Sequence, residues 1–207
     1  MSAERYYYEP SEGHGLAHDP FNAIVGPRPI GWISSQDRHG VRNLAPHSFF
    51  NAFNYKPPII GFSTTGWKDT ARNIEQVREF GWSLVTKPLV EAMNASSATV
   101  APDVDEFELA GVTPAPSRHI AVPRVAESPV SFECRVTQMF RLKDLQGREV
   151  DCWMIFGEVL AVYIDPAFLK DGIYQTAEAR PVVRGGGAGD YFDILPENKF
   201  VMSRPGS

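Results

Sequence analysis

Two alternating stretches in the second half of the chain limit what it can fold into. In "PVSFECRVTQMFRL", Val130, Phe132, Cys134, Val136, Phe140 and Leu142 fall on one face, and Ser131, Glu133, Arg135, Thr137 and Arg141 on the other. A period of two sustained this long belongs to an extended strand, because successive side chains leave a strand on opposite sides. "DLQGRE" turns the chain at Gly147, and "VDCWMIFGEVLAVYI" alternates again as the return strand, with Gly157 expected as a bulge where the strand bends. The pair reads as one long, half-buried antiparallel hairpin.

The first half adds more strands. "FNAIVGPRPIGWISS" reads as a strand with Ile30, Trp32 and Ser34 on one face and Gly31, Ile33 and Ser35 on the other, and "QDRHG" turns it at Gly40. The return strand starts at Val41 and is expected to stop or bulge at Pro46, since proline has no N–H for the ladder. Ile59 to about Ser63 forms another strand. The period then lengthens in "WKDTARNIEQVREFG", where Asp69 or Thr70 caps a helix, Ile74 and Val77 face inward, and Gly81 follows its C-terminal end. "WSLVT" is a short strand, Lys87 to about Ser96 a second helix, and residues 101–116 an acidic loop with one short helix. From Asp165 onward the chain reads as connection, ending in a flexible glycine loop and a short terminal strand. Strands, two helices and strands again predict a mainly β fold, a Greek-key barrel with helices closing its ends. Residues 1–20 are expected to form an N-terminal arm and residues 21–207 a single domain, as all-β chains of this length often do.

Composition excludes several function classes. With 43% hydrophobic and 22% charged residues the chain predicts a packed core. Its net charge of −5 and scattered lysines and arginines give no footprint for nucleic acid or an anionic membrane. No apolar run is long enough to span a bilayer, and the start lacks a secretory pattern, so a cytoplasmic protein is expected. Cys134 and Cys152 stand in no metal or redox spacing and read as reduced hydrophobes. The five histidines match no metal motif, so no metal is expected. The run "RGGGAGD" fails as a dinucleotide fingerprint, because Asp190 stands where the last glycine is needed. "GFSTTG" lacks the spacing of a serine nucleophile.

What remains is a constellation for an anionic ligand. Ser63, Thr64 and Thr65 end a strand, Lys68 follows, and Asp69 and Thr70 open a helix whose free N–H groups and positive dipole end suit a phosphate. Taken alone, the same residues also read as an ordinary helix cap beside a solvated lysine. The preceding hairpin weighs between the two. Ser34, Ser35, Asn43, Ser48 and Asn51 are polar where a core hairpin would be apolar, and buried polar groups need partners at a cost of roughly 1–3 kcal/mol each. His47 lies beside them and faces the same ligand on this reading. A ring with carbonyl and imide edges, a polyol and a terminal phosphate uses all these groups, which describes flavin mononucleotide (FMN).

The run "PRPIGWISSQDRHGVRNLAPHSFFNAFNYKPPIIGFSTTGWKDTARNI" resembles the signature of the flavin-reductase-like family with an FMN-binding split barrel, and "VPRVAESPVSFECRV" and "GEVLAVYID" resemble its second half. The likeness implies a split-barrel homodimer with FMN near the subunit interface and NAD(P)H-dependent flavin reduction. It puts Arg28, Ser34 and Ser35 near the ring or phosphate, and Asn43, Ala45, Pro46, His47, Ser48 and Asn51 along the isoalloxazine and ribityl. Ser63, Thr64, Lys68, Thr70 and Asn73 surround the phosphate. Gly31 stands where many relatives carry alanine, a change that widens the pocket beside the ring. Flavin supplies the redox chemistry in such a protein, and backbone N–H groups around Ala45 to Ser48 stabilise the reduced ring. Three functions compete on this reading: a flavin reductase, including one that serves a monooxygenase; an FMN-holding electron carrier; and a substrate oxidase. The last is disfavoured by the lack of a further basic cluster.

Overall fold

The structure, a computed structural model, describes residues 5–206. The first four residues of the expected arm, and Ser207, lie outside the described residues. In chain order the elements are α1 (Phe21–Ile24), β1 (Arg28–Pro29), β2 (Gly31–Gln36), β3 (Arg42–His47), β4 (Phe50–Tyr55), β5 (Pro58–Thr65), α2 (Asp69–Val77) and β6 (Glu79–Ser83). There follow α3 (Val90–Ala95), α4 (Glu106–Ala110), β7 (Pro114–Ala115), β8 (Arg124–Val125), β9 (Val130–Lys143) and β10 (Glu149–Ile164). β11 (Leu169–Lys170), β12 (Ile173–Tyr174), β13 (Val182–Gly186) and β14 (Asp190–Asp193) complete the chain.

Seven strands form one sheet in the order β3-β2-β6-β9-β10-β5-β4, antiparallel throughout. β3 and β4 occupy opposite edges of that sheet, yet only Ser48 and Phe49 join them. The sheet must therefore curl until its edges meet. They meet without a continuous ladder: the Ser63 N–H donates to the Phe49 carbonyl at 2.9 Å, and β3 and β5 are otherwise side by side but unpaired. The barrel is split along that seam. Ile33, Phe62, Ile74, Phe80, Cys134 and Ile155 fill its interior. Trp32, Leu44, Val85, Met93, Phe107 and Val125 form a second core outside the β2–β3 wall, under α3 and α4. β2 is thus covered on both faces, and five of its six residues are buried, Ser34 and Ser35 among them.

Several expectations change. The start of "FNAIVGPRPIGWISS" is the short helix α1 rather than strand, because the Asp19 carboxylate accepts from the Phe21 N–H at 2.9 Å and the Pro20 carbonyl accepts from Ala23 and Ile24. Pro46 does not end β3. It pairs with Trp32 inside an edge strand, and its missing donor costs nothing there because it faces the open seam. β4 escaped notice because five of its six residues are exposed and show no alternation. α2 ends at Arg78, which takes the left-handed conformation with φ 62°, while Gly81 belongs to β6. The glycine run is half strand, in the β13–β14 hairpin that pairs with β1.

The β9–β10 hairpin forms as expected, but its alternation breaks. Val136 pairs with Gly157 and Gln138 with Phe156, so the extra residue is Thr137 on β9, opposite the glycine rather than at it. That one-residue slip turns Met139 toward the core and leaves Phe140 and Leu142 exposed. Ser131 and Glu133 are buried instead of solvated: Ser131 Oγ pairs with Ser83 Oγ at 3.2 Å, and the backbone at Arg118 and His119 closes over Glu133. Glu133 accepts N–H groups of Arg118 and His119, both at 2.7 Å, and the Tyr163 hydroxyl. Burial pushes that carboxyl up, and these donors together hold it below its ordinary value.

Two glycines are fixed by contact. A Cβ on Gly157 would lie 2.4 Å from Cε1 of the fully buried Phe80. We expect Gly157→Ala to lower stability by about 1–3 kcal/mol in urea denaturation, the usual cost of overpacking a core. A Cβ on Gly31 would meet the Phe50 ring at 2.8 Å, so the space released there is filled by Phe50 and does not widen a ligand pocket.

Candidate functional site

The split holds a cavity of about 370 Å³. Its walls come from β3 and the turn after it (Asn43, Ala45, Pro46, His47, Ser48, Phe49), the end of β5 (Ser63, Thr64, Thr65), the start of α2 (Lys68, Asp69, Thr70) and two segments beyond α3. Those segments are residues 96–100, with Ser97, Ala98, Thr99 and Val100 after Ser96, and Glu106 of α4. Ten of the fifteen residues singled out from sequence therefore converge on one cavity. Sequence reasoning missed the 96–100 wall and Glu106. The Ser-Ser-Ala-Thr cluster was a usable signal, whereas Glu106 lay in a loop whose acidity suggested solvent.

One end of the cavity is built for an anion. The first backbone bond of α2 runs from the Arg72 N–H to the Lys68 carbonyl at 3.0 Å, and no side chain caps the helix. The N–H groups of Asp69, Thr70 and Ala71 are left at its positive end. The Asp69 carboxylate, expected as a cap, pairs with Arg72 instead. Lys68 has no ion-pair partner among the described residues. The helix-cap reading is thus the weaker one, and a cation and an open helix terminus face the same space.

Asn43 is the centre of a buried network rather than a free ligand arm. Its Oδ1 accepts from Thr70 Oγ1 at 2.9 Å and Ser35 Oγ at 3.2 Å, and its Nδ2 donates to Glu106 Oε1 at 2.9 Å. Asn73 Nδ2 donates to Ser35 Oγ at 3.4 Å, and Glu106 Oε2 accepts from the Leu44 N–H at 3.2 Å. The network ties β2, β3, α2 and α4 together behind the cavity. Burial foremost, with a small contribution from Asp69, pushes the Glu106 carboxyl up despite its donors.

Five of the expected residues lie off the cavity. Ser35 and Asn73 are its second layer through that network. Ser34 donates to the Pro123 carbonyl at 2.6 Å. Arg28 donates to the carbonyls of Ser48 at 3.0 Å, Val25 at 2.6 Å and Asn22, so it fastens α1 and the turn after β3. Asn51 is exposed on β4 and accepts from the Ala52 N–H through its own side chain, at the rim of a separate apolar groove.

His47 is buried at 9% exposure, its ring 4.7 Å from that of Phe62, and its Nε2 has no hydrogen-bond partner. Burial and the nearby charge of Lys68 lower its pKa to about 4, against the raising effect of a hydrogen bond to the Ser63 backbone. An unfolded chain regains the ordinary value near 6.5, so it binds the proton first as pH falls. The contribution of His47 to stability is therefore expected to be full above pH 6.5 and to fall by about 3 kcal/mol as pH drops toward 4. Urea denaturation across this range should show the slope in the native protein and lose that component in His47→Phe.

Residues 26–182 match the model of the family described as flavin reductase like domain. The chain belongs to this family. Its fold is accordingly the split barrel of flavin-binding proteins. Nitrilotriacetate monooxygenase component B from Bacillus cereus superposes with a TM-score of 0.87 at 27% identity, over 97% of this chain and all of the other. The 2-nitrobenzoate 2-nitroreductase of Pseudomonas fluorescens gives 0.78 at 26%, over 90% and 89%. An uncharacterized protein of Aquifex aeolicus is 35% identical over 79% of this chain and 83% of its own. The protein is thus a flavin-related oxidoreductase. Among the described residues no helix is long and apolar enough to cross a membrane.

Proposed function

We propose that residues 21–207 act as one FMN-binding flavin reductase unit that takes hydride from NAD(P)H. The observation that carries this reading is the convergence of the uncapped α2 terminus, unpaired Lys68 and the orphaned His47 Nε2 on one cavity. FMN fits that donor set: its phosphate would lie on the N–H groups of Asp69, Thr70 and Ala71 beside Lys68, Ser63 and Thr64. Thr70 would contribute its backbone N–H, since its hydroxyl already donates to Asn43. The ribityl and ring would follow β3 and its turn through Ala45, Pro46 and Ser48, with the His47 side chain at the phosphate end beside Ser63 and Lys68.

Bound FMN supplies a ring that accepts hydride at N5 from nicotinamide C4. The chain's residues supply position: α2 anchors one end, and residues 96–100 and Glu106 wall off water behind it. N–H groups of the β3 turn, from His47 onward because Pro46 has none, would stabilise charge on the reduced ring. The likeness to a monooxygenase component supports a role in delivering reduced flavin to an oxygenase, the family resemblance is the ground for a homodimer, and the two unpaired cysteines and the lack of a secretory pattern are the ground for a cytoplasmic location.

Anaerobic mixing of the FMN-loaded protein with NADH or NADPH tests the activity. Rapid bleaching of the flavin absorbance is expected. Bound flavin that neither nicotinamide bleaches would instead favour the electron-carrier reading.

A further inference from the structure

We propose that His47 is a positioning residue that takes up a proton when a phosphate monoester seats in the split, so that its Nε2 changes from a lone-pair acceptor to a donor toward a phosphate oxygen. The inference rests on the assignment of the cavity to FMN.

Geometry restricts what this imidazole can do. It is nine-tenths buried in the cavity wall, its ring tilted at 44° against that of Phe62 at 4.7 Å, so the ring is held in place, and the Ser63 backbone beside one nitrogen favours a proton there. The other, Nε2, has no protein partner. A buried polar atom left alone is costly, and one in a cavity wall points to a ligand that completes it. Ser63 and Lys68, which fix its surroundings, belong to the same end of the cavity as the open terminus of α2.

The charges around the cavity decide the protonation state. Lys68 faces it as an unpaired cation, Asp69 is engaged with Arg72, and Glu106 is held by Asn43 and the Leu44 N–H. Without an anion, dehydration and Lys68 keep the imidazole neutral. A neutral Nε2 and a phosphate oxygen are both acceptors and repel. A dianion offsets the Lys68 charge and favours imidazolium, so the proton comes from solvent, bonds to Nε2 and is shared toward the phosphate. No bond of the ligand breaks and no electrons move.

Calorimetry of FMN binding to the full chain, in two non-phosphate buffers of different ionisation enthalpy, reads this proton directly. At pH 7.5 the ligand's phosphate is already dianionic, its second pKa being about 6. The native protein should take up a measurable fraction of a proton with FMN and none with riboflavin. In His47→Gln the uptake should vanish, FMN affinity should fall about tenfold, and its pH dependence between 6.5 and 8.5 should flatten. His47→Phe, which keeps a ring against Phe62, serves as a second variant, and imidazole nitrogen shifts in the native protein need no variant. Zero uptake by the native protein, or unchanged uptake in the variants, overturns the role of His47. Failure of the native protein to bind FMN overturns the cofactor assignment instead.

Discussion

Asn43→Leu is expected to lower the stability of the ligand-free protein by about 3 kcal/mol, because it removes one side chain and strands several partners. Ser35 and Thr70 lose their acceptor, and the buried Glu106 carboxylate loses a donor, leaving only the Leu44 N–H of its two. Each unsatisfied buried group costs roughly 1–3 kcal/mol, and more where a charge is involved. Leucine keeps the branched shape of asparagine but is bulkier, so overpacking at this buried position adds to the loss. Urea midpoints of the native and variant proteins measure it. A change below about 1 kcal/mol would mean that the network is not what holds α2 and α4 to the barrel. This effect must be measured without ligand, since any loss of flavin affinity in the variant would follow from a displaced α2.

Lys68→Glu is expected to act in the opposite way, with little change in stability and a large change in affinity. Lys68 is exposed and unpaired, so the fold does not depend on it. A charge-assisted bond to phosphate is worth about 1.5–3 kcal/mol, and reversing the charge adds repulsion. FMN binding should weaken by about 100-fold, while riboflavin, which has no phosphate, should bind nearly as before. Equal losses for both ligands would place Lys68 elsewhere than the phosphate end.

The fold was legible where periodicity was strong and local. The β9–β10 hairpin follows from alternation and a turn glycine, and α2 from a change of period. Its interruption at Thr137 was not legible, because a bulge depends on which residue a neighbouring strand presents, here Gly157 under Phe80. β4 was missed because a largely exposed edge strand has no apolar face to display.

The site divides along the same line. The segment from Ser63 to Thr70 could be read locally, since a strand end, a lysine and a helix start are consecutive. The polar residues of the β2–β3 hairpin could be recognised as needing partners, but not as having different ones. Asn43 and Ser35 satisfy each other and Glu106, Ser34 reaches Pro123, and Arg28 binds three carbonyls, all through contacts distant in sequence or set by a turn. Only closure of the barrel separates the residues that line the cavity from those that brace it.

A crystal structure of the protein grown with FMN tests the central claim most directly. The account predicts phosphate oxygens within hydrogen-bond distance of the N–H groups at the start of α2 and of Lys68, with the ring along the turn from Ala45 to Phe49. Flavin found instead in the apolar groove of about 490 Å³ lined by Phe50, Trp82 and Phe132, with the α2 terminus facing only water, would contradict it.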